Sequence, residues 1–150
     1  MTILGIDLGR SVGYAVERDG KLLASGTKVL GGTTLPEHLS DWLCWLRAIV
    51  ERHSVDVIAY EQPLSPPRYA RLSALLPIHE EAVLLLLAHR SGLRATCAPP
   101  PTIKKALTGS GRAKKPDMIE AAARVWDLTP NSPHHADALG VLTWAMGVDA

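Results

Sequence analysis

The 150-residue sequence contains no phenylalanine, two cysteines and no long hydrophobic run. Its longest uninterrupted apolar stretch, residues 82–88, is far short of the about 20 residues that span a bilayer, so we predict no membrane partner. Cys44 and Cys97 lack a metal-type spacing, and we interpret both as small buried hydrophobic residues. The chain starts without a basic leader, which predicts a cytoplasmic protein.

Basic residues are concentrated in one part of the chain. The formal net charge is +1, and the chain is long enough for a single domain over residues 1–150 but too short for two domains around a cleft. Within residues 62–116 the carboxylates are Glu80 and Glu81 alone. The basic residues of that segment are Arg68, Arg71, Arg90, Arg94, Lys104, Lys105, Arg112, Lys114 and Lys115. Such an excess suits either a solvated face or a polyanion such as nucleic acid.

The hydrophobic pattern predicts a three-layer α/β domain, with a mixed five-stranded sheet flanked by helices. Asp19-Gly20 favours a hairpin, and the first long helix would cross over to a strand parallel to the first one. The predicted strands are 2–8, 11–17, 21–30, 55–60 and 93–98. The predicted helices are 34–53, 69–89 with a kink or break at Pro77, 101–107, 116–126 and 132–144.

Acidic side chains occur where a structural role does not explain them. Asp7 lies in an apolar strand, where an ionised carboxylate is costly unless a charge or metal compensates it. Glu61 ends the next central strand, and the carboxyl ends of parallel strands meet at one edge of a sheet. His134 and Asp137 share a helix face because they are three residues apart. We therefore expect these four side chains to converge.

Three carboxylates and one imidazole form a poor tetrahedral zinc site but suit Mg²⁺ or Mn²⁺, which prefer oxygen ligands. Two such ions about 4 Å apart activate water and stabilise the leaving oxygen in phosphodiester hydrolysis. Our hypothesis has Asp7 bridging two ions, Glu61 and Asp137 each completing a site, and His134 ligating or orienting the water. His135 remains an alternative to His134 as the ligand, because the start of the helix decides which one turns inward.

Five segments of this sequence carry a family resemblance. They are Gly5-Ile6-Asp7-Leu8-Gly9, Gly13-Tyr14-Ala15, Tyr60-Glu61-Gln62-Pro63, Gly109-Ser110-Gly111 with Lys114-Lys115, and His134-His135-Ala136-Asp137-Ala138-Leu139. In order and spacing they resemble the RuvC family of Holliday junction resolvases over nearly the whole chain. The resemblance implies an RNase H-like fold and a homodimer that nicks two opposing strands of a four-way DNA junction in recombination and repair. It also implies dependence on Mg²⁺ or Mn²⁺, and a branch-migration motor is a possible further partner.

The resemblance also assigns residues. Asp7, Glu61 and Asp137 fall on the family's metal-binding acids, and His134 falls where members carry an aspartate or a histidine. Two family lysines that contact the scissile region fall near Lys104 and Lys115, or one residue away at Lys105 and Lys114. We expect the remaining DNA contacts from Leu64, Arg68, Tyr69, Arg71 and Arg112.

The sequence departs from the family at two places. Bacterial members carry an aromatic wedge after the catalytic glutamate, whereas this chain has Leu64 there, with Tyr69 as the nearest aromatic residue. An apolar side chain can still unstack a base step, but sequence preference at the cut is then left open. The helix that resembles the family's dimer helix, residues 72–87, contains Pro77 and a leucine run. So much aliphatic surface predicts a dimer interface.

Other functions share parts of these motifs. Actin-like ATPases share the segment around Asp7, but they need a second lobe for which this chain is too short. Three alternatives remain. One is the YqgF-type branch of the same fold, which acts on structured RNA. The others are a relaxed nuclease for forks and other branched DNA, and a junction-binding protein without catalysis. The tryptophans are interpreted as packing residues. The remaining histidines are interpreted as surface or helix-end residues: His38, His53, His79 and His89.

Overall fold

Helices cover both faces of one sheet in the computed structural model, which describes residues 1–66, 68 and 71–149. Over these residues the strands are β1 (Thr2–Asp7), β2 (Ser11–Arg18), β3 (Lys21–Val29), β4 (Val57–Glu61) and β5 (Arg94–Ala98). The helices are α1 (Leu35–His53), α2 (Leu72–Ser91), α3 (Pro100–Thr108), α4 (Lys115–Trp126) and α5 (Pro133–Asp149). The strand order is β3-β2-β1-β4-β5.

The sheet is mixed, as the sequence predicts. Strand β1 pairs antiparallel with β2 and parallel with β4, while β4 pairs parallel with β5. Ile6 lies opposite Tyr60 in the parallel pair, so β1 and β4 end side by side. Asp7 and Glu61 are the last residues of these two strands. The connection through α1 is therefore the crossover that parallel pairing requires.

Alternate residues of the central strands enter two different cores. Leu4 and Ile6 of β1 are buried with Trp42 of α1 and Leu84 of α2 on one face. On the other face, Ile3 is buried in a cluster with residues of the last three helices, among them Ile103, Met118 and Leu142. This alternation confirms the predicted three-layer arrangement, because side chains of a strand point in turn to opposite faces.

Local sequence signals set several helix boundaries. Thr34 and Glu37 form the capping box predicted for α1, with the Glu37 N–H donating to Thr34 Oγ1 at 3.4 Å. At the start of α5, Ser132 Oγ accepts the His135 N–H at 3.1 Å. Pro133 occupies the first position of that helix, where its missing N–H costs nothing.

Helix α2 differs from its prediction. It begins at Leu72 rather than residue 69, which lies outside the described residues, and it runs through Pro77 without a break. Proline lacks an N–H, so the helix loses one backbone hydrogen bond there while packing against α1 and contacting β5 holds it. By length and composition alone α2 could cross a membrane, although Leu76, Glu80 and Leu84 are buried within the domain.

Some single-residue predictions are wrong. Cys44 and Cys97 are exposed rather than buried, the first on α1 and the second on the edge strand β5. His38, predicted at the surface, is 1% exposed. Its ring bonds the buried carboxyl group of Glu80, a partner that is distant in sequence and therefore invisible to a helical pattern.

Candidate active site

The first two acids lie where β1 and β4 end. Residues Val57 and Ala59 of β4 are buried in the core beneath α5, so Glu61, two residues further along, points to that same face. Asp7 ends the neighbouring parallel strand and contacts α5 directly. The predicted convergence of the two strand ends is therefore confirmed.

Glycines of β1 and β2 allow α5 to lie close to the sheet. A Cβ atom on Gly13 would lie 1.8 Å from the main-chain oxygen of His134, and one on Gly5 would lie 2.9 Å from that of Ala138. Side chains at either position would push the helix away from the sheet. Glycine at these two places thus brings the first turns of α5 over Asp7.

Asp7 and His134 form a direct pair. His134 Nδ1 lies 3.0 Å from Asp7 Oδ2, with the histidine side chain 46% exposed and the aspartate side chain 14% exposed. His135 turns away from this pair, with Nε2 at 2.9 Å from Ser25 Oγ and Nδ1 accepting the Asn131 N–H at 3.0 Å. Of the two histidines considered, His134 is the one that faces Asp7, and His135 anchors α5 to β3.

Burial raises the pKa of all three carboxyl groups at this edge, and neighbouring carboxylates raise it further for Glu61 and Asp137. Burial raises the pKa of Asp7, an effect that the hydrogen bond from His134 opposes. Burial, followed by the charges of Asp7 and Asp137, raises the pKa of Glu61 to about 7. Burial and the charge of Asp7 raise the pKa of Asp137 to about 6. A bound cation would relieve both the desolvation and the mutual repulsion.

Two lysines act on this acid cluster. The positive charge of Lys104 lowers the pKa of Glu61 and of Asp137, against the stronger effect of burial. Lys115 acts likewise on Asp7 and Asp137. These effects favour Lys104 and Lys115 as the lysines nearest the acids, over the exposed neighbours Lys105 and Lys114.

The side chains are suited to a hard divalent cation without forming a closed site. In the described part of the chain, no three His, Cys, Asp or Glu side chains meet as a ready-made metal cluster. Asp7 and His134 bond each other, while Glu61 and Asp137 interact with Asp7 through charge. The donor set is rich in oxygen, as Mg²⁺ and Mn²⁺ prefer. The chemistry of the residues therefore fits the predicted ions.

A cleft of about 220 Å³ adjoins the acids. Asp7 and Glu61 line it together with Leu64, which is 74% exposed, and with Pro77 of α2. Arg68 and Arg71 are also exposed, in the segment that connects β4 to α2. Tyr69, a predicted DNA contact, lies outside the described residues.

Other cavities lie elsewhere. Arg112 lines a separate depression of about 270 Å³, which it shares with Asp117 and Arg124. A larger cavity of about 300 Å³ between β2 and α1 is lined by Tyr14 and Trp45, among other residues, and by none of the predicted acids. Of these three cavities, the 220 Å³ cleft is the one in which Asp7 and Glu61 line the wall together with exposed apolar surface.

Sequence reasoning missed a carboxylate on the opposite side of the sheet. Glu80 is fully buried in α2 and accepts the Gly9 N–H at 2.7 Å, two residues after Asp7. One signal was available: Glu80 is an acid within a strongly apolar helix, the same anomaly that singles out Asp7. Its partner His38 lies 42 residues earlier, so the pairing itself had no local signature.

The chain is similar in sequence to proteins of one family. The family model for the crossover junction endodeoxyribonuclease RuvC matches residues 3–145. A protein of that name from Rhodopirellula baltica is 36% identical over 141 residues, which cover 90% of this chain and 78% of the relative. One from Synechococcus strain CC9311 is 34% identical, covering 94% of this chain and 95% of the relative.

Solved structures give the same fold. The Thermus thermophilus RuvC structure has a TM-score of 0.78, at 21% identity, covering 98% of this chain and 97% of that one. RuvC from T. thermophilus in complex with Holliday junction substrate has a TM-score of 0.84, at 21% identity, over 99% and 94% of the two chains. The predicted RNase H-like fold is confirmed by these neighbours. In both sequence and fold, this chain belongs to the RuvC family of crossover junction endodeoxyribonucleases.

Proposed function

We propose that this protein is a metal-dependent endonuclease that resolves four-way DNA junctions in recombination and repair. The proposal is supported by the 3.0 Å contact between Asp7 and His134 and by the charge interactions of Asp7 with Glu61 and Asp137, in a chain of the RuvC family. We further propose that residues 1–150 act as one nuclease domain, in the cytoplasm. A branch-migration motor stays a predicted partner.

The acids and His134 would hold the metal. The charge of Asp7 acts on Glu61, His134 and Asp137 alike, which supports Asp7 as the ligand that two ions would share. Mg²⁺ or Mn²⁺ there would supply an activated water and charge stabilisation for phosphodiester hydrolysis. His134 would exchange its bond to Asp7 for a role as ligand or as the group that orients the water. Lys104 and Lys115 would neutralise phosphate charge beside the acids.

The surface around the cleft provides the proposed DNA contacts. Leu64 is the exposed apolar side chain beside Asp7 and Glu61, in a position to enter an opened base step at the junction centre. The phosphate backbone would be bound by exposed basic side chains, since such contacts supply most of the affinity for DNA. These are Arg68, Arg71, Lys105, Arg112 and Lys114, in addition to the two lysines nearest the acids.

The outer face of α2 is the proposed dimer interface. Leu72, Leu85 and Leu86 are 52%, 44% and 55% exposed, on a helix whose other side is buried against the domain. Leucine exposed in such a group is typical of an interaction surface. Two copies joined through α2 would present two active sites to one junction, as paired nicks require.

The test of this function is cleavage of defined nucleic acids. Labelled four-way junction, replication fork, linear duplex and structured RNA are incubated with the protein and Mg²⁺, Mn²⁺ or EDTA, and the cuts are mapped. We expect symmetric nicks in opposing strands of the junction, in the presence of a metal. Asp7→Asn should abolish cleavage while junction affinity stays within about threefold, because the basic surface supplies most of the binding.

Asp19→Asn is the matched control for that variant. Asp19 is an exposed carboxylate in the β2–β3 turn at a φ of 53°, a conformation that asparagine also tolerates, and the change removes the same charge. Retained cleavage by the Asp7 variant would remove Asp7 from the site. Cleavage of RNA alone would move the function to the YqgF-type branch, cleavage of forks as well would indicate a relaxed nuclease, and binding without cuts would indicate a structural role.

A further inference from the structure

A second buried acid lies behind the active site. Glu80 is 0% exposed, in the middle of a helix whose other buried side chains are the apolar Leu76, Leu84, Leu87 and Ala88. A buried carboxyl group costs free energy unless it is hydrogen-bonded, so its retention within a core needs an explanation. The proposed catalytic set does not include it.

Three hydrogen bonds fix Glu80 in place, two to its carboxyl group and one to its main-chain oxygen. Its Oε1 accepts the Gly9 N–H at 2.7 Å, and its Oε2 lies 2.7 Å from His38 Nε2. The indole N–H of Trp42 donates to the main-chain oxygen of Glu80 at 3.0 Å. Two side chains of α1 thus hold α2 and the carboxyl group in place, and the carboxyl group in turn holds a backbone amide.

That amide belongs to the segment that carries Asp7. Gly9 follows Asp7 by two residues and adopts a φ of +151°, a conformation that side chains disfavour. Asp7 is bonded by His134 of α5 on one face of the sheet, and Gly9 is bonded by Glu80 of α2 on the other. The segment between β1 and β2 is therefore fixed from both sides.

We propose that Glu80 is a positioning residue for the metal site, which it orders by holding the Gly9 amide so that the Asp7 carboxylate faces Glu61 and Asp137. Glu80 makes no contact with substrate in this role and acts through the backbone. The proposal rests on the proposed function for the identity of the metal ligands. Groups that orient metal ligands from behind typically change metal affinity or activity by 10–100-fold when removed.

The protonation states of Glu80 and His38 determine which substitution preserves their hydrogen bonds. Burial raises the pKa of Glu80 to about 8, although the Gly9 hydrogen bond opposes this, and burial lowers the pKa of His38. A neutral Glu80 accepts from Gly9 through Oε1 and can donate its Oε2 hydroxyl to His38 Nε2, provided that the His38 ring carries its proton on Nδ1. Glutamine reproduces both bonds with its carbonyl and amide groups, whereas leucine has a similar volume and makes neither.

The experiment compares Mn²⁺ binding, junction cleavage and thermal unfolding in four proteins: wild type, Glu80→Leu, Glu80→Gln and Leu84→Ala. Mn²⁺ affinity is measured by calorimetry without DNA, and cleavage is measured as a single-turnover rate at saturating junction. We expect Glu80→Leu to bind Mn²⁺ about tenfold more weakly and to cut at least about tenfold more slowly. Glu80→Gln should stay within about twofold of wild type in both.

Leu84→Ala controls for lost stability. Leu84 is one turn further along α2 and fully buried, so its truncation destabilises the same helix while leaving the Gly9 acceptor in place. It should lower the unfolding temperature and leave Mn²⁺ affinity unchanged. Any of three results would overturn the proposal. Leu84→Ala could lose as much Mn²⁺ affinity as Glu80→Leu, Glu80→Leu could keep the wild-type affinity and rate, or Glu80→Gln could be as impaired as Glu80→Leu.

Two safeguards keep the test decisive. If Glu80→Leu does not fold, Glu80→Asp replaces it, because the shorter side chain keeps the acid but withdraws the acceptor from Gly9, and weaker Mn²⁺ binding is again expected. If the wild-type protein cuts no junction, the proposed function fails, while the Mn²⁺ affinities of the variants still decide the role of Glu80.

Discussion

At the scale of single residues, folding places acids where they repel one another. Asp7, Glu61 and Asp137 each have a raised pKa with burial as the largest cause, and Asp7 adds repulsion to the other two. The sequence predicted Asp7 and Glu61 because an acid in or at the end of an apolar strand stands out, and it predicted Asp137 because that residue shares a helix face with His134. It did not predict Glu80, whose proposed role depends on contacts with Gly9 and His38 that only the tertiary structure shows.

Removing one of these acids should stabilise the protein when no metal is present. Glu61 binds its proton more tightly in the folded state, so the free energy of unfolding falls as pH rises from 4.5 to about 7. Glutamine does not ionise, so the free energy of unfolding of Glu61→Gln does not fall over this pH range for that reason. In EDTA at pH 8 we expect it to be more stable than wild type by roughly 1–2 kcal/mol, or about 3–6 °C in Tm, after allowance for partial exposure.

Thermal unfolding from pH 4.5 to 8, with EDTA or with Mn²⁺, checks this expectation. The two proteins should agree near pH 4.5 and diverge as pH rises in EDTA. With Mn²⁺ the wild-type protein should gain more stability than the variant, because its full ligand set binds the ion. A variant that is less stable than wild type in EDTA at pH 8 would show that Glu61 stabilises the fold instead.

At the scale of elements, the local signals were reliable and the distant ones were not. The hairpin at Asp19-Gly20 and the caps at Thr34 and Ser132 depend on a few neighbouring residues, and the structure contains all of them. The continuity of α2 through Pro77 and the burial of His38 depend on what packs against those helices. A pattern read along one helix carries no information about its neighbour.

The exposed face of α2 gives a prediction at this scale. Leu86→Glu places a charge in the proposed interface, so we expect a monomer at micromolar concentration where wild type is a dimer, as measured by light scattering. The monomer should then nick the two opposing strands independently instead of in pairs. Val125→Glu is the control, since Val125 of α4 is similarly exposed, at 49% against 55% for Leu86. A wild-type monomer would refute the interface.

At the scale of the whole molecule, the net charge conceals an uneven distribution. A chain of net charge +1 that concentrates nine basic residues in residues 62–116 can bind a polyanion without being basic overall. Lys104 and Lys115 lie near the acids, and the cleft beside Asp7 adjoins this basic part of the chain. Folding thus brings the acids that would bind metal next to the residues that would bind phosphate.

Junction affinity should therefore depend on salt, with each basic contact adding to the slope. We expect Lys105→Ala to weaken binding and to make the slope of log K against log salt concentration shallower by about 0.9, the value for one lost phosphate contact. Lys21→Ala in the distant β3 is the control. Fluorescence anisotropy in EDTA measures both slopes without cleavage, and an unchanged slope would remove Lys105 from the DNA surface.

The contact between Gly13 and the His134 carbonyl bears on how this nuclease can be inactivated. A single added methyl group at Gly13 would meet that oxygen at 1.8 Å and displace the start of α5. His134 and Asp137 would move with it, although every acid and every lysine would keep its chemical identity. Substituting Gly13 could thus give a protein that binds junctions without cutting them, although no proposed metal ligand is altered. A genetic screen for loss of cleavage should yield substitutions at Gly13 as well as at the acids.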